Sequence, residues 1–196
     1  TAFILAGFWL KDSIKDVTDY QFNNIFKYDK IMVINEDKNY NLIKDDLSKD
    51  PLVDKLVAIN TQSLTVSSND KKQDVTAIIP LNYDELEDVI SLVNIDNNKS
   101  INNLSGNNTC IISEKTSRLL KVGVNDQITI LDSDNNKKKI KVSYITKNYI
   151  NQYLYMSKDT YQEIFNNYNV NSFLIDLKET SKEEKDAFNK KYISKG

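Results

Sequence analysis

An α+β fold is expected from three features of this 196-residue chain. Strand-like apolar runs alternate with amphipathic helical stretches toward both ends. A β-rich middle without long helices separates those ends. Hydrophobic residues make up 40% of the chain and charged residues 28%, which is enough apolar side chain for a sizeable core.

Thr1-Ala-Phe-Ile-Leu-Ala-Gly-Phe-Trp-Leu10 carries no charge and leads into a charged stretch, Lys11 to Lys27. Leu10, Ile14, Val17, Phe22 and Ile25/Phe26 recur at helical spacing, with Asp12, Asp16 and Asp19 on the other side, so a helix is expected there. As a helix, the apolar stub would be ~15 Å long, about half of a ~30 Å hydrocarbon core. It reads either as the last turns of a membrane helix or as a terminus tucked into the fold's own core.

Lys30-Ile-Met-Val-Ile-Asn35 reads as a buried strand, and Lys38 to Lys49 as a helix with Leu42, Ile43 and Leu47 inward. Pro51 resists continuation of that helix, because the residue before a proline avoids the α region. The alternating run in Val53 to Ser68 predicts a long strand. This strand–helix–strand order favours a right-handed crossover with the two strands parallel or adjacent. Ser67 to Lys72 is a polar turn and Asp74 to Pro80 a return strand, so residues 56–80 form a hairpin.

A short helix, Asn82 to Leu92, precedes a loop over 94–109 dominated by Asn and Ser. Cys110-Ile-Ile112 is a short strand, and Ser113 an N-cap for the helix Glu114–Leu120. After the turn Val122–Asp126 comes a hairpin: Gln127–Leu131, the turn Asp132-Ser-Asp-Asn-Asn136, then Lys138–Thr146. Tyr149 to Met156 predicts an aromatic strand. Ser157 caps a helix Lys158–Phe165, Ser172 to Lys178 is a strand, and Thr180-Ser181 opens a last helix from Lys182 to about Tyr192. The expected organisation is therefore residues 1–58 as the first half of a split unit, 59–148 as a β-rich insert, and 149–196 as the second half. A further strand would be expected beyond the last helix, so both ends read as cut.

The chemistry available is limited. No His is present, which removes the commonest general base and metal ligand. Cys110 lies in an apolar run with nothing nearby to lower its pKa, so it reads as a core residue. Only four glycines occur and none cluster, which argues against a phosphate-cradling loop. A net charge of −2, without a basic half, offers nothing to nucleic acid.

Asp132–Asn136 resembles half a calcium loop, but Lys137 and Ser143 stand where Gly and Glu are needed, so a hairpin turn is expected. Asp45-Asp46 and Glu183-Glu184 point ~100° apart on their helices and read as solvated faces. Lys137-Lys-Lys-Ile-Lys141 reads as protection of a strand edge. Tyr149, Tyr153 and Tyr155, with Phe165 and Tyr168 nearby, are candidate stacking residues for a glycan or peptide; packing on a sheet is the alternative. No catalytic group, metal site or cofactor site is expected.

Three strings then converge on a family. Gly7-Phe-Trp-Leu-Lys-Asp-Ser-Ile14 with Gln21-Phe-Asn-Asn-Ile-Phe-Lys-Tyr-Asp29 resembles the exit from the first membrane helix of FtsX-like/MacB-like ABC-transporter permeases. Ile112-Ser-Glu-Lys-Thr-Ser-Arg-Leu-Leu-Lys-Val-Gly-Val-Asn-Asp-Gln-Ile-Thr-Ile130 is similar to their extracellular core, and Tyr149-Ile-Asn-Gln-Tyr-Leu-Tyr-Met-Ser157 to the strand after it. The likeness spans essentially the whole chain. Asn125 departs from the pattern, which usually has Gly before Asp126; Asn tolerates the left-handed conformation, so the turn should survive.

The resemblance implies an α/β porter-like subdomain assembled from both ends, with an inserted β-rich, sabre-like subdomain, lying between the first two membrane helices. It further implies a non-catalytic domain on the extracellular face of the cell membrane. Its partners would be a cytoplasmic ABC ATPase reached through the membrane helices, a second permease copy, and a peptide, lipid or cell-wall component. Lys11–Lys27 would then be a coupling stalk carried by Asp12, Ile14, Val17 and Phe22, and the stub a membrane connection. The rival reading is a stand-alone surface-anchored module that binds a glycan or peptide.

Overall fold

The computed structural model describes residues 8–10 (backbone only), 25–35, 38–104, 107–132 and 134–193. It divides into two compact units. Unit 1 comprises residues 1–59, 88–90 and 170–196, and unit 2 residues 60–87 and 91–169.

Unit 1 is built on β1 (Phe8–Leu10), β2 (Lys30–Val33), β9 (Ser172–Leu177) and the first part of β3 (Val53–Ser68). β2 pairs antiparallel with β9 through Lys30↔Ile175, and β3 pairs antiparallel with the same strand through Leu56↔Ile175. β2 and β3 therefore run parallel, as the crossover predicts, but β9 lies between them and they are not neighbours. Phe173, Leu174 and Ile175 are fully buried, which a central strand covered on both faces requires.

α1 (Tyr40–Lys49) connects β2 to β3. Asn39 caps it, its Oδ1 accepting from Asn41 N at 2.9 Å, and Ile43 and Leu47 are its buried face. Leu42 is 64% exposed and does not join that face, which corrects its inward assignment. The Tyr40 ring stacks on Phe173 at 5.9 Å.

Two expectations for the N-terminal region change. Phe8–Leu10 is a strand, antiparallel to β2 through Trp9↔Ile31, and not a helical stub. The outer edge of β2 offers unpaired backbone groups, and the aromatic-rich triplet satisfies them. The expected helix Lys11–Lys27 falls mostly outside the described residues, stalk residues Asp12, Ile14, Val17 and Phe22 included. Phe26 already bridges Ile90, and Lys27 N donates to Val89 O at 2.7 Å, so helix has ended there.

α5 (Lys182–Ile193) is held to α1 by one buried carboxylate. Asp50 Oδ1 accepts from Leu52 N at 3.0 Å, and its Oδ2 accepts from Tyr192 Oη at 2.8 Å and from Lys191 Nζ at 3.3 Å. Tyr192 Oη also lies 3.3 Å from Asp46 O. Burial alone would raise the Asp50 pKa, but the Leu52 amide, the Tyr192 hydroxyl and Lys191 together pull it below the ordinary carboxylate value.

Unit 2 is a closed barrel. Its strands are the remainder of β3, β4 (Lys71–Pro80), β8 (Tyr153–Tyr155), β5 (Thr109–Ser113), β7 (Lys137–Thr146) and β6 (Gln127–Leu131), in that order around the wall. β6 returns to β3 through Thr65↔Leu131 and Ser67↔Thr129 and completes the circle. The β3–β4 hairpin turns on Asn69 and Asp70, both at positive φ (52° and 63°), as a two-residue primed turn demands.

Leu64, Ala77, Cys110, Ile128, Ile140 and Leu154 are among the side chains that fill the interior. Cys110 is completely buried and its thiol is pushed well above the ordinary value, so it is a core residue, as expected. α3 (Glu114–Leu120) follows β5 directly and buries Thr116 and Leu120. α4 (Lys158–Phe165) is capped by Ser157, whose Oγ accepts from Thr160 N at 3.1 Å.

Two further expectations need correction. α2 is only Tyr83–Leu86, because the chain leaves the helix to bury Val89 and Ile90 in unit 1. Only Tyr153–Tyr155 of the expected strand 149–156 is extended, and residues 149–169 pack in unit 2 instead of with the C-terminal half. β7 pairs with β6 over Lys137–Lys141 but with β5 only from Lys141 onward, so Lys137–Lys139 stand on an open edge, as the sequence suggests.

Two outcomes follow. Asp50→Asn should cost about 2 kcal/mol at neutral pH, the scale of hydrogen bonds to a charged acceptor. Because the folded pKa is depressed, this contribution is present above the ordinary carboxylate pKa and lost as pH falls through the folded value. Denaturant unfolding from neutral to acid pH should therefore show the wild type losing its advantage over Asp50→Asn. At the α3–β6 turn, Asn125 adopts φ 76° while its N–H donates to Val142 O at 2.8 Å. Asn125→Gly should leave the melting temperature nearly unchanged, whereas Asn125→Val should cost about 1–2 kcal/mol.

Candidate partner-contact surface

The candidate aromatics follow β7 in unit 2, and a local device sets their exposure. Asn148 is 1% exposed, and its Oδ1 accepts from Ile150 N at 3.2 Å and Asn151 N at 2.9 Å. This Asx-type turn folds the backbone outward around Tyr149. Lys115 fixes the turn from α3: its N–H donates to Asn148 O at 3.1 Å and its Nζ to Ile150 O at 2.9 Å. The Tyr149 side chain is left 59% exposed on a pinned backbone.

Beyond the turn the chain is fastened again. Gln152 O accepts from Thr76 N at 3.0 Å, and Gln152 Nε2 donates to Gln73 Oε1 at 3.2 Å. Ser113 Oγ accepts from Tyr153 N at 3.0 Å and pairs with Thr116 Oγ1 at 3.0 Å. Ser113 thus occupies the expected N-cap position, but its hydroxyl serves β8 and Thr116 and makes no cap bond. Reading the chain for caps misses this, since the partner strand is forty residues away.

The three tyrosines have different fates. The Tyr153 and Tyr155 rings stack at 6.0 Å with planes 17° apart, which agrees with their sharing one face. Tyr155 is 1% exposed, so it belongs to the interior and cannot touch a partner. Tyr153 is half-buried, and burial pushes its phenol up to about 12. Tyr149 alone is broadly presented to solvent. Phe165 and Tyr168 pack around Tyr161 at 4.9 and 5.7 Å, with Tyr168 Oη donating to Ile79 O at 2.7 Å, so this second cluster braces α4 on the barrel.

A polar groove of about 510 Å³ runs between the β6–β7 turn and the end of α4. Asp134, Lys137, Lys138, Glu163, Phe165 and Asn166 contribute to its walls. Asp132 is committed to the turn: its Oδ1 accepts from Asp134 N and Asn136 N, both at 2.8 Å, and its Oδ2 from Asn136 Nδ2 at 3.0 Å. The Asn136 bonds hold its carboxyl below the ordinary value, and the turn is a hairpin turn as expected. Among the described residues no group of three potential ligands gathers for a metal ion, and none forms a helix long and apolar enough to cross a membrane.

No family model matches the sequence, and no curated protein matches it closely. Solved structures do resemble the fold. The extracellular domain of the noncanonic ABC-type transporter YknZ from Gram-positive bacteria superposes with a TM-score of 0.54 at 16% identity, over 80% of this chain and 86% of that one. The periplasmic region of MacB from Actinobacillus actinomycetemcomitans gives a TM-score of 0.52 at 12% identity, over 84% and 81%. The chain has the α+β fold of the extracellular and periplasmic domains of FtsX/MacB-type ABC transporters.

Proposed function

We propose that this chain is the extracellular domain of an FtsX/MacB-type ABC-transporter permease at the cell membrane. It is a non-catalytic part that couples cytoplasmic ATP hydrolysis to export, extraction or signalling at the cell surface. One observation carries the reading: a fold made of a unit assembled from both ends of the chain and interrupted by a closed β-barrel resembles the YknZ and MacB domains over 80% and 84% of this chain. The chemistry of the surface supports it, since Cys110 is buried with a raised pKa and His is missing from the sequence.

In this reading the ATPase acts through the membrane helices of the intact protein, and a second permease copy completes the transporter. Force or signal passes through Lys11–Lys27, with Asp12, Ile14, Val17 and Phe22 as the coupling positions. Tyr149, supported by Tyr153, offers an aromatic contact to a peptide, lipid or cell-wall partner. A stand-alone binding module would use the same Tyr149 turn but would need no coupling segment, so the two readings separate experimentally.

In the intact permease, a Gly-Gly insertion after Lys15 should abolish transport while ATP hydrolysis continues. Unchanged transport would contradict the coupling role. Tyr149→Ala should lower transport or partner binding by about tenfold with unaltered thermal stability, because the turn that holds it is made by the Asn148 side chain and backbone amides and not by the Tyr149 side chain. An equal loss for the buried Tyr155→Phe, without destabilisation, would contradict a surface contact.

A further inference from the structure

The β5 side of β7 is paired only from Lys141 onward, so Lys137–Lys139 guard an open edge, and the same run also leaves cations in file on one face of the strand. Lys137, Lys139 and Lys141 alternate with the buried Ile140 and Val142, and all three lie on the outer face of the barrel wall. Their cross-strand partners on β6 are Leu131, Thr129 and Gln127, and Lys141 also lies beside Thr109 of β5. None of these neighbours is a carboxylate. Among the described residues, none of the three lysines takes part in an ion pair. Asp134 and Glu163 border the groove at the Lys137 end, and Asp132 is committed to its turn. At the other end, Asp126 Oδ2 accepts from Gly123 N at 2.7 Å. A chain of net charge −2 thus displays three uncompensated cations in single file.

The geometry of the file narrows what could meet it. Same-face residues on a strand repeat about every 6.8 Å, so the three ammonium groups are rooted along a line of about 14 Å. An extended acidic peptide with carboxylates at alternate residues has the same repeat. A flat anionic surface would be met better by cations spread over adjacent strands, but β6 presents neutral Thr129 and Gln127 there, and Thr109 of β5 is buried. The open β5-side edge of β7 spans only Lys137–Ile140, and Asn108 Nδ2 already donates to Lys139 O there at 3.1 Å, which leaves too little free backbone for strand addition. Recognition has to be by side chains across the face, with Thr129 and Gln127 as neutral hydrogen-bonding groups beside the charges.

We propose that the outer face of β7, Lys137, Lys139 and Lys141 flanked by Thr129 and Gln127, docks an extended acidic peptide segment of a partner protein. The contact is exposed and electrostatic, so it is weak and salt-sensitive. The test uses the 196-residue chain and a fluorescent peptide of alternating Glu and Thr at low ionic strength. Binding should weaken as salt rises, and combined Lys137→Gln, Lys139→Gln and Lys141→Gln substitution should lower affinity about tenfold or more. The corresponding three Lys→Arg changes should keep it. A peptide of the same composition with its Glu residues in one block should bind less well. Unchanged circular dichroism would show that the substitutions left the fold intact. Equal binding by the Gln variant, equal binding of the block peptide, or binding to phosphatidylglycerol vesicles but not to the alternating peptide would each overturn the proposal.

Discussion

The return of β6 to β3 is the constraint on which unit 2 depends. Without the pairing of Thr65–Ser67 with Thr129–Leu131, the wall would be an open sheet with two exposed edges. Closure gives every strand of the wall a partner on both sides and encloses Ile128, Ile140 and Leu154 without need of an outer helical layer. It also frees the outer face from any duty in pairing. Side chains there are rooted in paired strands, which is what a contact surface requires.

The corresponding constraint in unit 1 is the position of β9. Both of its neighbours come from the far end of the chain, so the unit forms only when the two ends meet. Asp50 reinforces that meeting, as a carboxylate from the first half accepts from Tyr192 and Lys191 of the second.

Most of this was legible where the forces are local. Helical periodicity marked α1, and Ser157 marked the start of α4, because it bonds within its own first turn. Asn125 could be assigned a left-handed turn from its side chain alone. What could not be read depends on distant partners. Nothing near β2 says that β9 will lie between it and β3. Tyr155 shares its alternation with Tyr153, yet pairing with Ile111 buries it. The Tyr149 turn depends on Asn148 and on Lys115, which reaches it from another element. The same limit applies to Phe8–Leu10, whose apolar run suits a membrane helix until β2 offers it an edge.

Barrel closure is the claim from which the exposed lysine file, the pinned aromatic turn and the likeness to transporter domains all draw their meaning. Residue-resolved native-state hydrogen exchange tests it directly. The paired amides within Thr65–Ser67 and Thr129–Leu131 should exchange as slowly as those joining β6 to β7, because opening the seam would expose the common core. Fast exchange at those amides, alongside slow exchange in the β6–β7 hairpin, would mean an open sheet and would contradict the account.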